Sequence, residues 1–181
     1  MNKLASFEMG IDYSQFDVRD LRGNEDKLFI SDFTAQHFGQ GFAWAIGIVK
    51  FKTVGECSSA YIEVFTASTI NLEPTSIRAI VLPFLVRESG VEIASLFADA
   101  SEEFQVFVSP GNYALLFELK FRDDEEYFES SQYQIDLDSS LRSVWCRLTF
   151  IPQENVTPEI LRADDEMLPA GSPLLMEAEL A

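Results

Sequence analysis

Basic side chains are scarce in this sequence: 13 lysines and arginines stand against 30 aspartates and glutamates over 181 residues, leaving a net charge of −17. A protein that displaces counterions from phosphates needs the opposite balance, so direct binding to DNA or RNA is not expected, and an anionic lipid surface repels the chain as well. Histidine is scarcer still. His37 is the only one, so any mechanism built on an imidazole base must use it, and its place after the polar run TAQ suits capping or packing better. The two cysteines, Cys57 in GECSS and Cys146 in SVWCRLTF, form no disulfide framework, and with His37 they lack the ligand spacing of a zinc site. Two free thiols in a reducing compartment are expected. No GxSxG, Walker loop, GxGxxG, HExxH or CxxC is present, so the common catalytic, metal and nucleotide motifs are missing. The longest strongly apolar run, IVLPFLV, has seven residues and contains a proline, far short of the ~20 residues of a membrane-crossing helix. The opening MNKLASFEMG lacks the basic start and apolar run of a secretion signal, which points to a cytoplasmic protein without membrane contact.

What the chain does have is the material for a core, with 47% hydrophobic residues and 16 phenylalanines. This composition excludes a disordered polyelectrolyte despite the charge. Most of it follows the two-residue period of β-strands: FEMGIDYSQFDV, FAWAIGIVKF, AYIEVFTAS, SIRAIVLPFLV, GVEIASLF, EFQVFVS, NYALLFELKF, YQIDLD and RSVWCRLTF, separated by turn-like segments. In FAWAIGIVKF, Phe42, Trp44, Ile46 and Ile48 would share one face. Pro110 and Gly111 suit the centre of a type II turn and predict a hairpin between EFQVFVS and NYALLFELKF; RESG, with Gly90 at positive φ, offers a similar link after SIRAIVLPFLV. Pro83 cannot donate to a ladder and marks an edge or bulge, an edge that would also serve a homodimer. The expected fold is mainly β: an antiparallel β-sandwich or flattened barrel of about eight or nine strands over residues 1–150. Residues 151–181 read as an acidic appendage with a short helix, Thr157 as N-cap and Pro158 at the first helical position. A shorter helical turn fits around Asp32 to Phe38.

The acids concentrate in FRDDEEYFESSQYQIDLD, residues 121–138, where seven carboxylates follow Arg122 without a further base. DDEEYFESS suits an exposed loop or hairpin tip, and YQIDLD would point Tyr133, Ile135 and Leu137 inward with Asp136 and Asp138 outward. Folded as a hairpin, this stretch carries one charge per ~4 Å against one per ~1.7 Å for duplex DNA, so alone it imitates nucleic acid only crudely. Neither DDEEYFESS nor DLDSSL has the register of an EF-hand, and no cofactor is implied. Paired carboxylates of a glycosidase need only two acids across a cleft, a pattern that 30 acids supply by chance. A non-enzymatic role is therefore preferred, with Asp123, Asp124, Glu125, Glu126, Tyr127, Glu129, Asp136 and Asp138 as the candidate surface for a basic protein partner. Tyr127 is the aromatic anchor among them. The alternative is a ligand-binding β-sandwich module for carbohydrate or calcium.

Four stretches carry a resemblance: IDYSQFDV (11–18), GFAWAIGIVKF (41–51), IRAIVLPFLVRESGVEIASL (77–96) and FQVFVSPGNYALLFEL (104–119). Their pattern is a Tyr-x-Gln-Phe opening, a Leu-Pro-Phe-x-Val strand followed by a glycine turn, then Pro-Gly-x-Tyr before an apolar strand. Together they resemble the competence protein J (Nin) family, inhibitors of the nuclease through which DNA enters naturally competent bacilli. The resemblance implies a small cytoplasmic protein that binds a basic nuclease and blocks it. Its matching positions are core and turn positions, so it carries over no inhibitory residue. The chain departs from the pattern after Asp138 by continuing through SVWCRLTFIP and an acidic tail.

Overall fold

The computed structural model describes residues 1–21, 29–31, 33–54, 57–95, 103–122 and 142–180, the side chains of Cys57, Ser58 and Arg142 excepted. In chain order its elements are β1 (Asn2–Gly10), β2 (Gln15–Asp20), α1 (Ala35–Gln40), β3 (Phe42–Ala45), β4 (Ile48–Lys52), β5 (Cys57–Thr66), β6 (Arg78–Val86), β7 (Val91–Ser95), β8 (Phe104–Val106), β9 (Gly111–Phe121), β10 (Arg142–Pro152) and β11 (Glu159–Arg162). They form a six-stranded sheet in the order β1-β5-β10-β9-β6-β11 and a five-stranded sheet in the order β3-β4-β2-β7-β8. Every pairing is antiparallel except β5 with β10. The sheets do not close into a barrel. Their inner faces share one core, in which Phe16, Val18 and Phe51 of the smaller sheet meet Ile62, Leu115, Phe117 and Phe150 of the larger. The Phe51 and Phe117 rings stack at 4.3 Å, and Phe16 meets Phe117 edge-on at 5.8 Å. Each such ring contributes roughly 2–3 kcal/mol by leaving water.

The described residues contain eleven strands rather than eight or nine. Two stretches with unbroken alternation in fact contain tight two-residue turns. FAWAIGIVKF folds back at Ile46–Gly47, with Gly47 at φ +81°, so Ile46 is exposed instead of sharing a face with Phe42. FEMGIDYSQFDV turns at Tyr13–Ser14, where the chain crosses from β1 in the larger sheet to β2 in the smaller. YQIDLD lies outside the described residues.

Three further expectations are corrected. Residues 159–162 form β11, not a helix, although Thr157 and Pro158 make a good helix start. The edge of β6 decides it: Glu159 pairs with Val81 and Ile160 with Ile80, and Ile160 is buried in the process. Ladder bonds and burial outweigh the few tenths of a kcal/mol by which helix propensities differ. The predicted hairpin at Pro110–Gly111 is a crossing between sheets, because β8 pairs with β7 while β9 lies between β6 and β10. Gly90, at φ +131°, supplies the positive φ that was expected, again in a link that changes sheets. Pro83 lies on β6 beyond Val81, the last residue that β11 reaches, so that half is an edge as proline requires. Its carbonyl accepts the Trp44 indole N–H at 2.6 Å.

The shorter helical expectation resolves into α1. Thr34 caps it, accepting the His37 N–H at 3.5 Å while His37 Nδ1 accepts the Thr34 N–H at 3.2 Å; Gly41, at φ +81°, ends it. His37 therefore caps and packs. The tail docks beside it: Gln40 donates from Nε2 to the Leu175 carbonyl at 2.8 Å and accepts the Leu175 N–H at 2.9 Å, and Leu168 N–H donates to the Gly39 carbonyl at 2.6 Å. Farther on, Ser31 N–H donates to the Glu179 carbonyl at 3.0 Å and Ile30 bridges Leu180.

Candidate protein-binding surface

The residues singled out as a partner surface, Asp123, Asp124, Glu125, Glu126, Tyr127, Glu129, Asp136 and Asp138, lie outside the described residues. The strands on either side of them are described. β9 ends at Phe121, β10 begins at Arg142, and the Arg122 N–H donates to the Ser143 carbonyl at 3.3 Å. The segment thus departs from and returns to one end of the larger sheet.

Strand directions show what else meets that end. The pairings place the last residues of β1, β4, β7, β9 and β11 there, together with the first residues of β2, β3, β5, β6, β8 and β10. The connections between them are residues 11–14, 53–56, 96–103 and 122–141. In sequence these add Asp12, Glu56, Asp99, Glu102 and Glu103 to the seven acids of 123–138, against a single base, Arg122. Arg122 is already neutralised: its Nη1 lies 2.7 Å from Glu8 Oε1, its guanidinium covers the Tyr61 ring, and its side chain is 3% exposed. The opposite end is close to neutral. Its short connections, 46–47, 87–90, 107–110 and 153–158, carry Arg87, Glu88 and Glu154. In sequence, then, these four connections carry far more acid than the short connections opposite them.

That acidic end also has a turn of unusual backbone. Asp12 and Gln15 close it, with the Gln15 N–H on the Asp12 carbonyl at 3.1 Å, and the two central residues, Tyr13 and Ser14, have φ of +52° and +56°. Positive φ at both centres is the pattern of a type I′ turn, for which Asn-Gly or Gly-Gly is the usual choice. Among the described residues no other non-glycine has positive φ. The turn is tied down on two sides: Thr53 N–H donates to the Ser14 carbonyl at 2.8 Å, and Asp12 N–H donates to Ser95 Oγ at 2.9 Å. Ser95 Oγ also lies 3.3 Å from Asp12 Oδ2. Tyr13 is 72% exposed. Sequence reasoning missed this turn because IDYSQFDV contains no glycine, asparagine or proline to mark it.

Among the described residues no three His, Cys, Asp or Glu side chains are grouped as a metal site. Cys146 is buried in the shared core. Burial lowers the pKa of His37, partly offset by the Glu177 backbone. Burial raises that of Asp17, against the pull of Lys50 and Arg19 on the covered outer face of the smaller sheet. The ion pair of Arg147 with Glu118 on the larger sheet ties down a connection: Glu118 accepts the Glu73 N–H and Arg147 donates to the Asn71 carbonyl, folding residues 71–73 over the strands.

A family model described as Competence protein J (ComJ) matches residues 8–151. The chain belongs to the competence protein J family. The match runs from β1 almost to the end of β10, so β11 and the docked tail lie beyond it. Among solved structures, the chain resembles ComJ of Bacillus subtilis, described as an inhibitor of the DNA-degrading activity of NucA. The TM-score is 0.57 at 19% identity, covering 82% of this chain and 97% of that one. A protein described as crocagin biosynthetic gene J matches with a TM-score of 0.50 and 11% identity, over 85% of this chain and 99% of that one. These two likenesses show a shared fold. No curated protein sequence matches the chain.

Proposed function

We propose that this chain is a non-enzymatic inhibitor that binds a basic nuclease through the acidic end of a β-sandwich and keeps DNA out of its active groove. Membership of the ComJ family over residues 8–151 carries this reading, since the Bacillus subtilis ComJ structure is that of a nuclease inhibitor. The acid-rich connections supply a physical means. A nuclease holds a polyanion in a groove lined with lysine and arginine, and a dense set of carboxylates competes for the same side chains. In this reading Asp123, Asp124, Glu125, Glu126, Glu129, Asp136 and Asp138 make the contact with Tyr127 among them, and the acids of the neighbouring connections make up the charge density that the segment lacks alone. The encounter takes place in the cytoplasm, on the nuclease rather than on its substrate.

Mixing the purified protein with the NucA-type nuclease of the same genome in a DNA-degradation assay tests the reading. Inhibition is expected at near-stoichiometric protein, with association slowing about 10-fold or more as salt rises from low ionic strength, because steering of this kind is screened. Replacing Asp123, Asp124, Glu125 and Glu126 together by lysine should abolish inhibition. Unchanged inhibition by that variant would move the contact to another surface.

A further inference from the structure

We infer that the chain forms a two-fold homodimer through the open half of β6, with Leu85 of one copy paired to Leu85 of the second. This goes beyond the inhibitor reading and does not depend on it. Register decides which groups of β6 are available. In the β6–β9 ladder Leu85 stands opposite Asn112, and the Asn112 carbonyl is turned the other way, accepting the Gln153 N–H beside β10 at 3.0 Å. Leu85 and Asn112 are therefore a pair whose N–H and C=O groups point away from each other, which aims those of Leu85 out of the sheet edge. Pro83, two residues earlier, has the same orientation, and its carbonyl is taken by the Trp44 indole at 2.6 Å. The Arg87 N–H, two residues later, is taken by Asp20 Oδ1 at 2.9 Å. β11 reaches only to Val81. Among the described residues nothing pairs with the Leu85 backbone on that side, so one donor and one acceptor are left at the edge.

One residue is what a two-fold axis needs. In an antiparallel pair centred on the axis the two Leu85 residues exchange both N–H···O=C bonds, and the bonds already made at Pro83 and Arg87 stop the ladder on either side. The surroundings suit a second copy. Leu85 lines a hollow of about 220 Å³ with Trp44, Ile46, Pro83 and Val156, and Ile46 stands 53% exposed there. Paired on the axis, the two Leu85 side chains lie on the same face and cover part of this apolar surface. Charge decides the occupant. Two chains of net charge −17 repel over most approaches, but the short connections at this end, 46–47, 87–90, 107–110 and 153–158, carry only one base and two acids. The register sets Arg87 of one copy opposite Pro83 of the other, and Glu154 lines the hollow beside Pro83. Arg87 has Nη1 3.4 Å from Asp20 Oδ2 and a side chain 28% exposed, which leaves the rest of the guanidinium fork for Glu154 of the second copy. Symmetry makes that contact twice.

Sedimentation of the full chain across a concentration series tests this, with Leu85→Pro, Leu85→Ala and Glu154→Arg run beside wild type and a melting temperature taken for each. Wild type should approach the mass of two chains as concentration rises. Leu85→Pro removes the outward N–H at an edge position, where proline is tolerated, and should sediment as a monomer at concentrations where wild type is dimeric. Leu85→Ala keeps that N–H and should retain the dimer. Glu154→Arg sets like charges against Arg87 on both sides of the axis and should weaken the dimer about 10-fold or more. If Leu85→Pro melts well below Leu85→Ala, the exposed substitution Glu154→Arg decides in its place. A wild-type chain that stays monomeric up to about 1 mM overturns the dimer. A dimer that Leu85→Pro and Glu154→Arg both leave within about twofold of wild type overturns it as well, since the contact then lies elsewhere. The nuclease assay reads inhibition separately, so none of these outcomes decides the inhibitor reading.

Discussion

The two ends of the paired sheets make their turns from different materials. At the near-neutral end, positive φ falls on Gly47, Gly90 and Gly111, and the short connections carry three charges of mixed sign. At the acidic end the β1–β2 turn uses Tyr13 and Ser14, each at a cost of about 1–2 kcal/mol for a left-handed non-glycine residue. One end is built for low strain and the other displays side chains at some expense of stability. The difference is one of backbone strain, and substitutions at the two ends should have opposite effects on stability.

The largest effect is expected at the near-neutral end. A Cβ at Gly90 would stand 2.9 Å from Leu21 Cδ1 and 3.3 Å from the Val106 carbonyl, at φ +131°. The backbone oxygen cannot move far, and the conformation is one that L-residues avoid. Gly90→Ala should therefore cost about 3 kcal/mol and lower Tm by roughly 6–12 °C, while the folded fraction inhibits as before. A variant that melts normally would break the claim that this end is held by glycine geometry. At the acidic end the sign reverses. Ser14→Gly removes a left-handed serine and keeps the carbonyl that accepts the Thr53 N–H. Offsetting the strain relief with glycine's greater freedom in the unfolded chain leaves a gain of about 0.5–1 kcal/mol in thermal or denaturant unfolding. A loss of stability there would mean that the turn is not strained.

The sequence carried much of the larger design and little of the end-to-end contrast. Alternation located the strands, because both faces of each sheet obey a two-residue period, and the buried outer-face charges at Asp17, Arg19, Glu118 and Arg147 kept that period visible. Alternation also concealed two turns. Ile46–Gly47 and Tyr13–Ser14 are turns of two residues, so the apolar pattern passes through them almost unbroken. Turn chemistry at Pro110–Gly111 announced a change of direction but not which sheet the chain would join. The strand 159–162 was hidden for a different reason: its local preference is helical, and the open edge of β6 that recruits it comes from a segment about 80 residues earlier. That the connections 11–14, 53–56, 96–103 and 122–141 leave from one end of the sheets depends on strand order, above all on the parallel pairing of β5 with β10, which no local signal foretells.

The smallest effect separates stability from binding by pH. His37 Nδ1 accepts the Thr34 N–H, which requires the ring to be neutral at that nitrogen, and burial among Phe33, Phe38 and the tail lowers its pKa from 6.5, with the Glu177 backbone acting weakly the other way. A histidine whose folded pKa is depressed takes up its proton first in the unfolded chain. Its contribution to stability is thus complete above pH 6.5 and is lost as pH falls through the lower folded value. Asp17 works with the opposite sign, its raised pKa favouring the folded state as the carboxyl protonates, but from the carboxylate side of the scale. In His37→Gln the side-chain oxygen can still accept the Thr34 N–H, as Gln does in a capping box, and the titration is gone. Unfolding of wild type and His37→Gln compared at pH 7.5 and at pH 5.5 should show wild type losing stability relative to the variant on acidification. Inhibition should stay level over the same interval in wild type and variant alike. A parallel fall in inhibition would tie α1 and the docked tail, which lie at the end of the sheets where β2 and β3 begin, to the contact.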